Sequence, residues 1–235
     1  MGSTCSGNSR GKLSLGLPLD RGPAMLLIVG AGGFGREILQ YALDAGLVTS
    51  VDEVGFLDDS MSALKSIAGV ARPEGPVLDH VVRERAHYLI AIGEPRIRAD
   101  IATRLMGAQF ATLIHPRAYV APTAVINPGC LITPGAVVGP GARLATGVVV
   151  NVMASIGHDA EIGPQTVFSP YATCNGGARL GATVFLGTRA TILPSVEVGE
   201  GAKVAAGAVV YRHVPAGAFV HGDPARVRVM PRGDG

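Results

Sequence analysis

Residues 119–214 read, in blocks of six, YVAPTA VINPGC LITPGA VVGPGA RLATGV VVNVMA SIGHDA EIGPQT VFSPYA TCNGGA RLGATV FLGTRA TILPSV EVGEGA KVAAGA VVYRHV, sixteen blocks without an insertion or deletion. The second place is aliphatic from Val120, Ile126 and Ile132 onward to Val210, except for Phe168 and Cys174, and the sixth is small or branched throughout. Neither the 3.6 period of a helix nor the period of 2 of a β-meander yields sixes. A parallel β-helix does, because stacked short strands turn one aliphatic and one small residue per block inward, coil after coil. With three blocks to a triangular coil, residues eighteen apart stack directly, and the stretch predicts slightly more than five coils, about 25 Å long at ~4.8 Å per strand spacing.

The whole composition fits an interior of that kind. Of 235 residues 33 are Gly, 16% are charged, 5% are aromatic and none is Trp, so corners take Gly, Pro and Asn while the interior takes small and β-branched side chains. Lys and Arg total 20 against 18 Asp and Glu, a net charge of +2, which offers no clustered cation surface for nucleic acid. Three cysteines, Cys5, Cys130 and Cys174, form no CxxC zinc or redox spacing and no disulfide framework, and they read as reduced thiols of a cytoplasmic protein. Mean hydropathy is +0.36, yet no window approaches the roughly 18 apolar residues of a membrane span.

Upstream of the repeat the character differs. Residues 1–24 are rich in Gly, Ser and Pro and lack apolar periodicity, which predicts a disordered tail; Met1-Gly2-Ser3-Thr4-Cys5-Ser6 also fits the permissive N-myristoylation pattern. From Met25, MLLIVGAGGFGREILQYALDAG gives an apolar run, a glycine turn, and apolar residues at helical spacing: strand, turn, helix. Gly30, Gly32 and Gly35 satisfy GxGxxG, in which the first glycine makes the turn, the second admits a phosphate to the backbone and the third lets helix pack on strand. A second strand over 53–57 ends in Asp58-Asp59, placed to accept from a nucleoside hydroxyl. A third strand over 87–93 and a helix over 96–106 complete an α/β unit spanning 25–112, a small Rossmann-like parallel sheet too short for a whole dinucleotide and suited to a mononucleotide or sugar nucleotide. The repeat domain then occupies 113–235, including a C-terminal tail.

These motifs together resemble the bacterial hexapeptide-repeat acyltransferases, in particular those whose N-terminal α/β domain precedes the coil and which acetylate nucleotide-linked amino sugars or sialic acids. LLIVGAGGFGREIL with VGFLDD is similar to their nucleotide-sugar domain, LIHPRAYVAPTAVI to the entry into the coil, HDAEIG, NGGARLGA and GAKVAAGAVV to its coils, and HGDPARVRV to its exit. The resemblance implies a left-handed coil, acetyl-CoA as cosubstrate, no metal, a nucleotide-sugar acceptor, and a homotrimer with active sites between subunits.

Acetyl transfer to an amine needs a base for the departing proton, a donor for the oxyanion and two substrates held together. His158 in SIGHDA is the only histidine inside the regular coils between His115 and His213 and occupies a non-interior place. By resemblance it is the general base, and Asp159 orients it; since neighbours on a strand point apart, the pairing requires a coil corner between them. Eighteen residues on, Gly176 would stack on His158 and present its amide to the acetyl oxygen while leaving room for the pantetheine arm. Ala206 and Ala208 fall where small residues let coenzyme A lie along the coil, and Arg226 or Arg228 could meet its phosphates. Gly30, Gly32 and Gly33 would meet the acceptor's diphosphate, and Asp58 or Asp59 its nucleoside. The chain departs from many relatives at Val167, where they place a second histidine that holds the thioester.

A zinc site of the γ-carbonic-anhydrase kind needs three histidines, and His158 stacks between Pro140 and Gly176. O-acetylation of a sugar hydroxyl would use the same base, and a non-catalytic nucleotide-binding scaffold would use the same fold. A dinucleotide oxidoreductase would leave the coil without a task.

Overall fold

The computed structural model describes residues 25–67, 69–222 and, as backbone, 226–229. The tail 1–24 and its myristoylation pattern lie outside the described residues. The N-terminal unit runs β1 (Met25–Val29), α1 (Gly33–Asp44), β2 (Val54–Leu57), α2 (Met61–Ser66), β3 (Arg72–Gly75), β4 (Ala86–Ile90), α3 (Pro95–Arg104) and β5 (Gln109–Phe110). Its sheet is wholly parallel with order β3-β2-β1-β4-β5. Strand succession reverses beside β1, so the carboxyl ends of β1 and β4 bound the crevice where open α/β sheets bind ligands. The sequence predicts three or four strands here, three of them named from their apolar runs; β3 and β5 bring the sheet to five, the former reading RPEG, polar edge residues with no apolar pattern to announce them.

The second unit is a parallel β-helix of two-residue strands with three faces. Face A collects six strands from Tyr119–Val120 to Val209–Val210, face B five from Val125–Ile126 to Glu197–Val198, and face C begins at Leu113–Ile114 and continues to the closing hairpin Ala218–His221 and Arg226–Val229. Registered partners are eighteen residues apart, as Val137 with Ser155 and Ser155 with Thr173. Second-place and sixth-place side chains fill one continuous core, including Val138, Ile156, Cys174 and Ala160.

One feature of the last coil corrects the sixteen-block reading. Val209–Val210 is in register with Thr191–Ile192, but Val214 bridges Val198 and Lys203 pairs with Phe219, both sixteen residues apart. The final corner, Tyr211-Arg212-His213, is therefore two residues short, and Val214 is a second-place core residue rather than the sixth of its block. The match of VVYRHV to the hexad pattern arises because both places take Val.

The fifth place of every block from Gly129 to Gly207 is left-handed. Glycine fills half of these positions, while Met153, Asp159, Gln165, Tyr171, Thr183, Arg189 and Ser195 fill the rest at φ 52–62°. This is the turn that bends one face into the next. A non-glycine L residue there costs about 1–2 kcal/mol, least for Asp and Asn.

The two units share a core. The outward first-place residues of face C, Leu113, Leu131, Val149 and Val167, are almost fully buried in the same cluster as Ile38 and Ala42 of α1, with Phe34, Tyr41 and Phe185 packed on it. Three polar ties frame that seam. Arg98 of α3, fully buried, donates to the carbonyls of Ile90, of Ile92 at 3.1 Å and of Gly147 in the coil at 2.8 Å. His115 receives the Arg117 amide on Nδ1 at 3.1 Å and so donates from Nε2 to Asp44 at 3.2 Å. Lys203 reaches Glu94 at 3.1 Å. Among the described residues no helix is long and apolar enough to cross a membrane.

Candidate active site

His158 and Asp159 occupy places four and five of their block, at the corner from face A to face B. Asp159 is left-handed at φ 56°, and that turn swings its carboxylate back to the preceding side chain. His158 Nδ1 lies 2.9 Å from Asp159 Oδ2, and both side chains are largely exposed, 71% and 74%. A carboxylate only accepts, so Nδ1 carries the proton and Nε2 holds the lone pair. The corner that sequence reasoning required between these residues is thus supplied by one αL residue.

Glycines above and below make room for the pair. A Cβ on Gly176 would overlap His158 Nε2, so the imidazole lies over bare backbone one coil on. A Cβ on Gly141, one coil back at φ 71°, would overlap Asp159 Oδ1. Around Gly176 the ladder is regular: Asn175 N–H donates to the Ile192 carbonyl at 3.0 Å and Gly177 N–H to the His158 carbonyl at 2.8 Å. The intervening Gly176 N–H takes no part in that backbone ladder.

In the N-terminal unit the glycines divide by role. A Cβ on Gly30 would stand 2.7 Å from the Ala91 carbonyl oxygen, and one on Gly35 would overlap the Gly30 carbonyl, so both are fixed by packing. Gly32 and Gly33 face open space, and no side chain caps α1 at Gly32, which leaves the helix amino terminus without a side-chain partner. Asp58 accepts from the Ala31 amide at 2.7 Å and the Ser60 amide at 2.8 Å, and Asp59 from the Val77 and Leu78 amides at 2.7 and 3.0 Å. Both carboxylates brace the loops around the crevice with oxygens that the sequence reading assigned to a nucleoside.

Beside the glycine loop, a cavity of about 420 Å³ lies between α1 and the coil. Val149, Val167, Phe185 and Phe34 form its apolar floor, and Glu37, Asn151 and Ser169 its polar rim. Gly93, at the exit of β4, places this cavity at the crevice where strand order reverses. Val167, 3% exposed, belongs to this floor on face C and not to the His158 corner.

The remaining sequence-predicted residues do not gather around His158 within one chain. Ala206 is exposed on the column of Val152, Pro170 and Thr188, the corner from face C to face A. Ala208 is fully buried in the coil core, so its methyl is unavailable to a ligand. Arg226 lies on the closing strand, paired in register with His221; its side chain, like that of Arg228, falls outside the described residues.

Comparison with known proteins fits both halves of the chain. Residues 25–105 match the PglD N-terminal domain and residues 177–212 the hexapeptide repeat of succinyl-transferase. The acetyltransferase domain of PglB from Neisseria gonorrhoeae superposes with TM-score 0.78 at 31% identity, over 87% of this chain and 100% of that one. The chain belongs to this hexapeptide-repeat acyltransferase family. The same PglB domain has been solved in complex with acetyl coenzyme A. WeeI from Acinetobacter baumannii aligns with TM-score 0.76 at 26% identity, over 87% of this acyltransferase and 99% of WeeI. PerB from Caulobacter crescentus, solved with CoA and GDP-perosamine, shares the fold with TM-score 0.72 at 22% identity over 87% and 97%. No curated protein sequence matches the acyltransferase.

Proposed function

We propose that this acyltransferase moves an acetyl group from acetyl-CoA to the amine of a nucleotide-linked amino sugar, with His158 as general base. The observation that carries the reading is the corner itself: an imidazole held by Asp159 at 2.9 Å, with its free Nε2 lying over the bare backbone of Gly176. The acetyl-CoA complex of the PglB domain supports the donor.

The neutral amine attacks the thioester carbonyl carbon, a C–N bond forms, and the carbonyl electrons move to oxygen, which faces the Gly176 N–H. Nε2 of His158 takes the proton from nitrogen, and Asp159 stabilises the imidazolium. Collapse breaks the C–S bond, and the imidazolium returns its proton to sulfur, so coenzyme A leaves as the thiol. The acceptor's diphosphate sits at Gly32 and Gly33, and its sugar extends into the crevice over Phe34 and Val167.

The two halves of this reaction sit on different corners of one coil, His158 between faces A and B and the crevice rim, Asn151 and Ser169, between faces C and A. A homotrimer resolves the separation. Face A presents an uncharged column, Tyr119, Val137, Ser155, Thr173, Thr191 and Val209, whereas face B carries Arg143, Glu161, Arg179 and Glu197, and face C is covered by the N-terminal unit. Three copies with face A toward a common axis bring the His158 corner of each against the crevice corner of the next. The free, buried thiols of Cys130 and Cys174 fit a reducing cytoplasm.

The test is thiol release from acetyl-CoA with a panel of UDP-, GDP- and dTDP-linked amino sugars, GDP-perosamine among them, beside the corresponding hydroxyl sugars. Turnover with one amino sugar, abolished in His158→Ala, is the expected result. Turnover only with hydroxyl sugars would make the enzyme an O-acetyltransferase, and wild-type rates in His158→Ala would remove the base.

A further inference from the structure

Fifth-place residues differ by corner. Between faces A and B they run Gly141, Asp159, Gly177 and Ser195; between faces B and C, Gly129, Gly147, Gln165, Thr183 and Gly201. The corner between faces C and A alone stacks three long side chains in the left-handed conformation, Met153, Tyr171 and Arg189, with Gly135 below and Gly207 above. Each carries backbone strain that glycine would relieve. Little of it is offset by burial, since Met153 and Tyr171 are about half exposed and Arg189 is exposed and in no ion pair among the described residues. Arg189 does lie over the Tyr171 ring, 5.6 Å from its centroid, which fixes its direction along the corner.

We infer that Tyr171 and Arg189 of one protomer form a ridge that grips the phosphates of coenzyme A bound at the His158 corner of the next. The inference rests on the donor and trimer of the proposed function. In that trimer this corner faces His158, and residue number measures height along the coil axis. Tyr171 stands about 3.5 Å above His158 at ~4.8 Å per coil, between the levels of His158 and Gly176. Arg189 stands about 8 Å above it, and its extended side chain carries the guanidinium farther along. A thioester held between Nε2 and the Gly176 amide directs its pantetheine arm up the same cleft, where, among the described residues, the first cation outside an ion pair is Arg189. Above it Ala206 and Gly207 reduce the ridge to backbone, leaving width for the adenosine end. The acceptor's diphosphate has its own seat at the α1 amino terminus, so the phosphates that Arg189 meets are the donor's.

Arg189→Gln and Arg189→Gly, assayed in the full-length protein with acetyl-CoA and with S-acetylpantetheine, which lacks phosphates, decide the matter. Expected is a KM for acetyl-CoA raised at least tenfold, as loss of a charged arginine–phosphate contact demands, with the acetyl-CoA to S-acetylpantetheine ratio of kcat/KM falling by the same factor. The acceptor KM stays put, and Arg189→Gly melts no lower than wild type because its strain is gone. An unchanged KM for acetyl-CoA, an equal loss with both donors, or a rise in acceptor KM instead would overturn the assignment. Calorimetry with coenzyme A separates the two levels: wild type that binds while Arg189→Gln binds equally well defeats this inference alone, whereas wild type that fails to bind defeats the donor reading and the ridge with it.

Discussion

The imidazole of His158 rests on the backbone of Gly176, eighteen residues on, at a spacing that leaves no volume for a Cβ. Gly176 is not left-handed, so alanine there meets the ring rather than a forbidden backbone. Gly176→Ala is expected to displace the imidazole and cut kcat by about 10²-fold or more, the scale of a lost base or oxyanion contact, with little change in melting temperature. Parallel thiol-release and thermal scans check it; wild-type turnover would mean that the ring acts from elsewhere.

Asp159 and Gly141 form a second stacked pair and predict a contrast. Asp159→Asn keeps a residue that tolerates φ 56° and loses only the charge, so turnover falls by about 10- to 10²-fold while stability holds. Gly141→Ala forces a side chain into φ 71° and pushes on the carboxylate, so it loses about 1–2 kcal/mol of stability along with activity. Denaturant midpoints measured beside rates distinguish the two.

Arg98 is a buried cation held by carbonyls. Burial lowers it to about 10, which still leaves it charged at neutral pH. Arg98→Met removes that desolvation cost and orphans the carbonyls of Ile90, Ile92 and Gly147. At roughly 1–3 kcal/mol per unsatisfied buried group, the loss outweighs the relief, and a net destabilisation of about 3 kcal/mol is expected. Because Gly147 belongs to the coil, the variant should also unfold in two steps, read by calorimetry, where wild type unfolds in one.

Acid should loosen the N-terminal unit first. Hydrogen bonds from Gln40 and then His115 hold the Asp44 carboxyl below its usual range. Burial raises Glu74, but hydrogen bonds from Arg83 and Arg72 outweigh it and the net shift is downward. A depressed folded-state pKa gives stability that is complete above the ordinary carboxylate value, about 4, and is lost as pH falls through the lower folded value. Urea midpoints are expected to be level from neutrality to about pH 4 and to decline below it, with Asp44→Asn removing part of that decline.

The coil was legible because its period is enforced by burial: every second-place side chain points inward, and an error of one residue would expose it. The His158 corner was legible for the same reason, since eighteen-residue stacking puts Gly176 above the ring. The left-handed fifth place was hidden by Tyr171, Arg189 and the other non-glycine residues that fill it. Arg98 looked like one polar residue of a charged helix, PRIRADIATR, and only packing against Gly147 distinguishes it from its exposed neighbours. Asp58 and Asp59 stood at the spacing of nucleoside acceptors, but their bonds to the amides of Ala31, Ser60, Val77 and Leu78 appear only once the fold brings those loops together. The apolar seam was present in the sequence, as Leu131, Val149, Val167 and Phe185 in every third block, but became visible only once each block had been assigned to a face.

The central claim is that His158 of one subunit acts on an acceptor held in the crevice of the next. Subunit complementation tests it most directly. His158→Ala, which lacks the base, and Gly32→Asp, which places a negative charge where the diphosphate sits, are each inactive alone and are refolded together in equal amounts. With sites shared between neighbours in a trimer, random mixing restores about a quarter of wild-type thiol release, because one site in four joins an intact crevice to an intact His158. No recovery in mixed trimers would show that base and crevice must come from the same chain, and would contradict the account.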